Sequence, residues 1–278
     1  MFILNSKGRL LPIDRPMIMG ILNRTPDSFY SGSRVGGDDA LLEHAGRMIG
    51  EGADWLDIGG QSTRPGAETV GEEEELQRTV GAITLLHRKW PDVPLSVDTW
   101  RARVAQEAVA AGASIVNDIS GGRLDPDMLV TVARLKVPYI CMHMKGDPST
   151  MNREAVYEDV VPEVLDYFIR RIEACRQAGI NDVIVDPGFG FAKTADHNWR
   201  LLRRLAVFRI TGRPLMLGIS RKSTIYRTLG VTPEEALNGT TVLHTIGLLN
   251  GADILRVHDP AAAKEAAVLV GAYKEKGT

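Results

Sequence analysis

The sequence predicts a (β/α)8 barrel of the TIM type, preceded by a short N-terminal hairpin or cap. Short apolar runs rich in Ile, Val and Leu alternate with longer segments of helical period, giving about eight βα units. The runs are continuously apolar, which is typical of parallel strands covered on both faces. Several of them follow a helix stop of Gly and Ala, such as Gly52-Ala53 and Gly112-Ala113. Residues 1–278 are therefore predicted to form one domain.

The elements follow in order along the chain. Met1 to Arg15 is predicted as the hairpin or cap. Eight apolar runs are predicted as strands: Met17–Leu22, Trp55–Ile58, Leu95–Val97, Ile115–Asn117, Tyr139–Met142, Val183–Val185, Leu215–Leu217 and Ile254–Val257. The segments of helical period predict helices at Ala40–Gly50, Glu72–Lys89, Val104–Ala111, Val156–Ala178, Pro233–Asn250 and Ala261–Lys274. An open doubly wound sheet is the competing fold, but no Gly-x-Gly-x-x-Gly follows the first strand, so the barrel is favoured.

The composition is that of an ordinary globular protein, with 44% hydrophobic and 24% charged residues. The formal net charge is -2, and Lys and Arg are spread along the chain, so we expect no nucleic-acid partner. Cys141 and Cys175 lie in apolar or helical patterns and are predicted to be small buried side chains. The N-terminus lacks a signal-peptide pattern and no apolar run has the length of a membrane span, which predicts a cytoplasmic protein without a membrane partner.

Polar or ionisable residues lie at the C-terminal end of nearly every predicted strand or directly after it. In chain order they are Asn23, Asp57, Asp98, Asn117-Asp118, His143, Asp186, Ser220-Arg221-Lys222, and Arg256 with His258. The C-terminal ends of barrel strands converge on one face, where the active sites of such barrels form. A mixture of carboxylates, amides and fixed cations at that face predicts a site for a polar heterocycle and an anion.

Five segments carry a further signal. They are Asn23-Arg24-Thr25-Pro26-Asp27-Ser28-Phe29, Ser62-Thr63-Arg64-Pro65-Gly66, Asp186-Pro187-Gly188-Phe189-Gly190-Phe191, Ser220-Arg221-Lys222-Ser223 and Arg256-Val257-His258-Asp259. These segments resemble the signatures of the dihydropteroate synthase family and occur in that family's order over nearly the whole chain. The resemblance implies an enzyme that condenses 7,8-dihydropterin-6-ylmethyl diphosphate with 4-aminobenzoate in folate synthesis. It also implies release of diphosphate by an SN1-like route, for which no strong general base is needed.

The resemblance implies that Asp98, Asn117, Asp186 and Lys222 hold the pterin ring, whose edge presents N–H donors beside acceptors. Two carboxylates and an amide suit such an edge. Taken alone, each residue has an ordinary structural alternative: Asp98 can cap a helix, Asp186 can belong to a turn, and Lys222 can lie in a solvated loop.

The diphosphate and its magnesium ion are matched by residues near the first and last strands. By resemblance, Arg256 and His258 grip the diphosphate with Thr63, and Asn23 binds Mg2+. Lys222, Arg256 and His258 are the residues expected to be catalytic. The structural alternatives are a strand-end turn for Asn23 and a satisfied buried histidine for His258.

The resemblance places the second substrate between two loops and the Asp186 segment. The aminobenzoate pocket is expected to consist of Thr63, Arg64, Pro65, Phe189 and Ser223. Two polar, Pro- and Gly-containing loops, Asn23 to Arg34 and Gln61 to Glu68, are predicted to act as lids, the first carrying Asp27 and Phe29. Phe189 is equally well explained as a core residue.

The sequence departs from the family pattern at three positions. Ser31 takes the place of a loop acid, Gln61 replaces a frequent Glu, and Ala192 replaces a Gly. We expect Gln61 to be tolerated because it keeps an acceptor. The loss of the acid at Ser31 keeps open a non-catalytic or divergent pterin-binding paralogue, and a pterin-dependent methyltransferase is a further alternative.

The resemblance also implies a homodimer. The apolar faces of Leu237 to Leu249 and Ala261 to Val270 would supply the contact. Packing against the core of the same chain explains these residues equally well.

Overall fold

The computed structural model describes residues 1–23, 34–61 and 70–276. An antiparallel hairpin of β1 (Phe2–Ser6) and β2 (Arg9–Ile13) comes first. Eight parallel strands follow: β3 (Met17–Asn23), β4 (Trp55–Gly59), β5 (Leu95–Asp98), β6 (Ile115–Asp118), β7 (Tyr139–Met142), β8 (Val183–Asp186), β9 (Met216–Leu217) and β10 (Ile254–Val257). The predicted barrel and the predicted hairpin are both confirmed.

Helices surround the strands. In chain order they are α1 (Arg34–Gly50), α2 (Glu72–Lys89), α3 (Ala102–Ala110), α4 (Met128–Leu135), α5 (Val160–Ala178), α6 (Ala195–Arg203), α7 (Ser223–Leu229), α8 (Leu237–Leu249) and α9 (Pro260–Lys276). A 3-10 helix at Leu205–Thr211 follows α6. The strands are ordered β8-β7-β6-β5-β4-β3-β10-β9, and a parallel bridge between Val185 and Leu215 closes the ring.

The barrel interior is apolar at its N-terminal end. One core cluster contains inward residues of the strands and three side chains of the hairpin: Met17, Met19, Trp55, Ile115, Ile140, Ile184, Met216 and Ile254 with Leu4, Leu11 and Ile13. The hairpin therefore covers this end of the barrel. Strand residues of the opposite parity pack against the helices in two larger clusters, as the alternation of side chains along a strand requires.

Most predicted elements match the structure within a few residues, and α2 matches at both ends. The prediction that a helix starts at Val156 was wrong, because Asp159 caps α5 by accepting a hydrogen bond from the Val161 N–H at 3.2 Å. Four helices were not predicted from the sequence, and all of them are short: α4, α6, α7 and the 3-10 helix.

Cys141 and Cys175 are both fully buried free thiols, as predicted. Among the described residues, no helix is long and apolar enough to cross a membrane. The extent of the domain and the cytoplasmic location stay predictions. Several predicted site residues lie outside the described residues: Asp27, Phe29, Ser31, Thr63, Arg64 and Pro65.

Candidate active site

A polar layer lies at the C-terminal end of the strands, above the apolar interior. Asp98 pairs with Asn117 in the register of β5 and β6, and both residues are about 3% exposed. Asp186 ends β8 and Arg256 lies on β10. Four residues that the sequence predicted for the pterin and its diphosphate therefore converge on one face, as expected for the catalytic end of such a barrel.

Arg256 joins two buried carboxylates. Its Nε donates to Asp57 Oδ2 at 2.6 Å and its Nη2 donates to Asp98 Oδ2 at 2.7 Å. Burial raises the pKa of Asp98 to about 7, against the opposing effect of the Arg256 charge and with a further increase from Asp57. The second oxygens, Asp57 Oδ1 and Asp98 Oδ1, are buried and accept no hydrogen bond from the residues that the structure describes. A ligand with N–H donors would satisfy Asp98 Oδ1.

Asp186 and Lys222 form the opposite side of this polar layer. A Cβ atom on Gly218 would lie 3.5 Å from Asp186 Oδ2 and 4.0 Å from Lys222 Nζ, so both groups border the same small space. Asp186 Oδ1 accepts the Gly188 N–H at 2.8 Å. Burial raises the pKa of Asp186, and the Lys222 charge opposes that shift.

Lys222 immediately precedes α7, and its side chain reaches back across the Asp186 segment. Its Nζ donates to the Phe189 carbonyl and lies 4.6 Å from the centre of the Phe191 ring. Burial lowers the pKa of Lys222 to about 8, although the nearby Asp186 carboxylate favours the ammonium form. The Lys222 ammonium is thus held in the same small space as the Asp186 carboxylate.

Glycine is required at Gly188 for this arrangement. Its φ is +70°, and a Cβ there would lie 2.1 Å from the His143 carbonyl oxygen. This close approach of two chain segments brings the Asp186 segment against the end of β7.

His258 is held by Ser220. The Ser220 Oγ lies 3.0 Å from His258 Nδ1 and accepts the His258 backbone N–H at 3.2 Å. The Ser220 hydroxyl thus fixes the orientation of the His258 ring through Nδ1. The neighbouring Arg221 instead forms a two-bond ion pair with Asp259, with both distances 2.8 Å.

Three further residues were predicted for the site: Asn23, Ser223 and Phe189. Asn23 ends β3, and its Oδ1 lies so close to Gly59 that a Cβ there would come within 2.8 Å, beside Asp98. Ser223 is the first residue of α7. The Phe189 side chain is fully buried in the core cluster between strands and helices, which favours the packing alternative for this ring.

Lys193 was not singled out by the sequence analysis. Its Nζ donates to His143 Nδ1 at 2.9 Å and to the Phe191 carbonyl at 2.9 Å. Burial and this cation lower the pKa of His143 well below its usual value, so the ring is neutral. The ring also packs edge-on against Tyr167, with centroids 4.8 Å apart. His143 is therefore a packing residue that Lys193 links to the loop after β8.

Gln61 contacts a buried carboxylate of α2. Its side chain donates to Glu75 Oε2 at 3.2 Å, while its Oε1 is buried and has no partner among the described residues. The buried Glu75 also pairs with Arg101. That Gln61 is tolerated at this position stays a prediction.

The chain was compared with known proteins. Residues 19–258 match the family model described as pterin binding enzyme. A dihydropteroate synthase of Escherichia coli is 43% identical over 269 residues, which cover 96% of this chain and 95% of that protein. Two solved structures of the Xanthomonas albilineans dihydropteroate synthase cover 98% of each chain. One contains 4-aminobenzoic acid (42% identity, TM-score 0.91) and the other 7,8-dihydropteroate (40% identity, TM-score 0.87).

The match over the barrel and its polar layer defines a class: the chain belongs to the pterin-binding enzymes. Within that class it is a member of the dihydropteroate synthase family. The recognition made from the sequence motifs is confirmed, and with it the prediction of an enzyme of folate biosynthesis.

Proposed function

We propose that this site joins 7,8-dihydropterin-6-ylmethyl diphosphate to 4-aminobenzoate and releases diphosphate. The observation that carries the proposal is the buried polar layer: two carboxylates, an amide and two cations meet at the strand ends above an apolar interior. Asp98, Asn117, Asp186 and Lys222 would hold the pterin ring. Asp98 Oδ1 and Asp186 Oδ2 would accept its N–H groups, and Lys222 would donate to its carbonyl.

Arg256 and His258 would stabilise the leaving diphosphate, with Thr63 from the second loop as the third predicted contact. Cleavage of the C–O bond leaves positive charge on the pterin methylene and an extra negative charge on the diphosphate. A guanidinium already fixed by two carboxylates, and an imidazole held at Nδ1 by Ser220, need little reorganisation to meet that charge.

Asn23 would hold Mg2+ together with the diphosphate oxygens. Its amide oxygen is a hard ligand, and Mg2+ commonly takes few protein ligands alongside phosphate oxygens and water. The Asn23 side chain beside Gly59 and Asp98 fits such a role. When bound, the ion would neutralise charge on the leaving group.

The amine nitrogen of 4-aminobenzoate would then attack the methylene cation, forming the C–N bond and giving up a proton. Thr63, Arg64, Pro65, Phe189 and Ser223 are the residues that we assign to this second substrate, and Asp27 and Phe29 are assigned to a lid. Phe189 would contribute its backbone, since its side chain lies in the core.

The test of the proposed function is diphosphate release by the purified protein with Mg2+ and each substrate alone or together. We expect release only when both substrates are present. Replacing Asp186 by Asn removes the carboxylate but keeps its shape, and should weaken pterin binding by about 10- to 100-fold, because hydrogen bonds to charged groups contribute about 1.5–3 kcal/mol. Calorimetry with the pterin substrate measures this affinity.

Asp196→Asn is the matched control, because Asp196 lies exposed on α6 and pairs only with Arg200 among the described residues. It should bind and turn over like the parent chain. Saturable pterin binding without any diphosphate release would instead favour the non-catalytic paralogue.

We further propose that the chain forms a homodimer through α8 and α9. Neighbouring apolar side chains on the two helices are exposed: Val242, Ile246, Leu249, Val268, Leu269 and Tyr273. Lys274 Nζ donates to the Leu248 carbonyl at 2.9 Å and links the helices. Patches of this kind commonly mark protein contacts.

One chain has a mass of 30.4 kDa. Light scattering should therefore give twice this mass. Leu269→Glu should shift the protein to the monomer, because it places a charge in the contact. The control, Ile210→Glu, changes an equally exposed residue on the 3-10 helix and should leave the dimer intact. A parent chain that is monomeric at micromolar concentration would refute the dimer.

A further inference from the structure

Asp57 lies one layer below the predicted pterin residues. On β4 it stands opposite Ser96 in the sheet register, whereas Gly59, two residues further on, stands opposite Asp98. Its side chain is fully buried. No contact with a substrate is assigned to Asp57 above, although it lies in the predicted strand Trp55–Ile58.

Asp57 determines which way the Asn117 amide faces. Asn117 Nδ2 donates to Asp57 Oδ2 at 2.9 Å. An ionised carboxylate only accepts hydrogen bonds, so the amide must turn its NH2 group toward Asp57. The Asn117 oxygen then faces away from Asp57, and no described residue donates to it. Asn117 thus presents an acceptor to a ligand in the site.

The same oxygen of Asp57 also orients Arg256. It accepts the Arg256 Nε–H at 2.6 Å, while Asp98 accepts from Nη2. With one N–H group fixed on each side, the guanidinium plane is set by two strands rather than one. Asp57 therefore contacts both a predicted ring-binding residue and a predicted diphosphate-binding residue.

We propose that Asp57 is a positioning residue: it presents the Asn117 oxygen to the pterin ring and fixes the Arg256 guanidinium for the diphosphate. The inference rests on the proposed function, because it assigns those ligands to Asn117 and Arg256. Among the described residues, Asp57 forms side-chain hydrogen bonds only with these two side chains, so its loss should change substrate affinity more than the fold.

The first test compares Asp57→Asn with Ser96→Ala. In Asp57→Asn the new amide can donate, so Asn117 is free to turn its oxygen toward residue 57 and its NH2 toward the ligand. The affinity for 6-hydroxymethylpterin, measured by calorimetry, should fall by about 10- to 100-fold. Ser96→Ala removes a buried hydroxyl from the neighbouring strand that has no hydrogen-bond partner among the described residues, and should keep the parent affinity.

The second test exchanges the two groups. In Asp57→Asn with Asn117→Asp, the amide at residue 57 donates to the carboxylate at residue 117, whose other oxygen again presents an acceptor to the ring. The exchange should bind 6-hydroxymethylpterin at least about tenfold more tightly than Asp57→Asn. Asn117→Asp alone places two carboxylates side by side and should bind more weakly than the exchange.

Melting temperatures show whether each variant folds, and the exchange, which restores the pair, keeps the test valid if Asp57→Asn is unstable. Unchanged pterin affinity in a folded Asp57→Asn, or no recovery in the exchange, would overturn the inference. A parent chain that releases no diphosphate with both substrates would count against the proposed function instead.

Discussion

Replacing Arg256 by Met should lower the free energy of unfolding by about 3–5 kcal/mol at neutral pH, because it leaves two buried carboxylates without their cation. Asp57 and Asp98 are both almost completely inaccessible, and each commits one oxygen to Arg256. Diphosphate release should fall by at least about 100-fold in the same variant, since the leaving group loses a fixed donor.

The destabilisation should depend on pH in a defined direction. Burial already raises the pKa of Asp98 to about 7 with Arg256 present, and removing the cation raises it further. Such a carboxylate has a higher pKa in the folded protein than in the unfolded chain, where its pKa is about 3.9. It does not lower the stability at a pH below the unfolded pKa, and it lowers the stability most at a pH above the folded pKa. The deficit of Arg256→Met should therefore be smallest at about pH 5 and largest at about pH 8.5.

Urea unfolding of the parent chain and the variant at those two pH values measures the effect. Arg103→Met is the control, because Arg103 forms its ion pairs with Glu72 and Glu73 on the surface. This variant should unfold in urea like the parent chain at both pH values. An equal deficit for Arg256→Met at both pH values would show that the two carboxylates do not depend on Arg256 for their charge state.

The barrel was predictable because its signals are local. Each strand of a buried parallel sheet is a continuous apolar run, and the sequence shows all eight, with hydrophobic helices between most of them. The start of β9 differs by one residue from the prediction, because Leu215 forms an isolated bridge to Val185 and lies outside the strand. Short helices such as α7 were missed because one or two turns carry too little periodicity to be recognised.

The site was predictable only in part. Strand ends located Asp98, Asn117 and Arg256, and the structure brings these residues together. The pairings among them were not predictable, since a hydrogen bond between β4 and β10 joins residues 199 positions apart. Lys193 was missed for the same reason: its partner, His143, lies 50 residues earlier, directly after β7. One signal was available for Asp57, its place in the series of polar strand ends.

Lys222 should make the reaction sensitive to alkaline pH. Burial lowers the pKa of Lys222 to about 8, so the ammonium loses its proton as the pH rises through that value. We expect kcat/KM for the pterin substrate to fall about tenfold per pH unit above this pKa, because the neutral amine no longer provides a cation beside the Asp186 carboxylate.

Two variants separate the charge of Lys222 from its shape. Lys222→Ala should lower kcat/KM by about 10- to 100-fold, the effect expected from losing a charged hydrogen-bond donor to the pterin carbonyl, and should show no fall centred near this pKa. Lys222→Arg keeps a cation that stays protonated throughout, so the alkaline fall should move to higher pH even if the rate is reduced. An inflection that persists near neutral pH in Lys222→Arg would belong to Asp98, whose pKa is raised to about 7. A parent profile that stays flat to about pH 9.5 would show that the protonated ammonium is not required for binding or transfer.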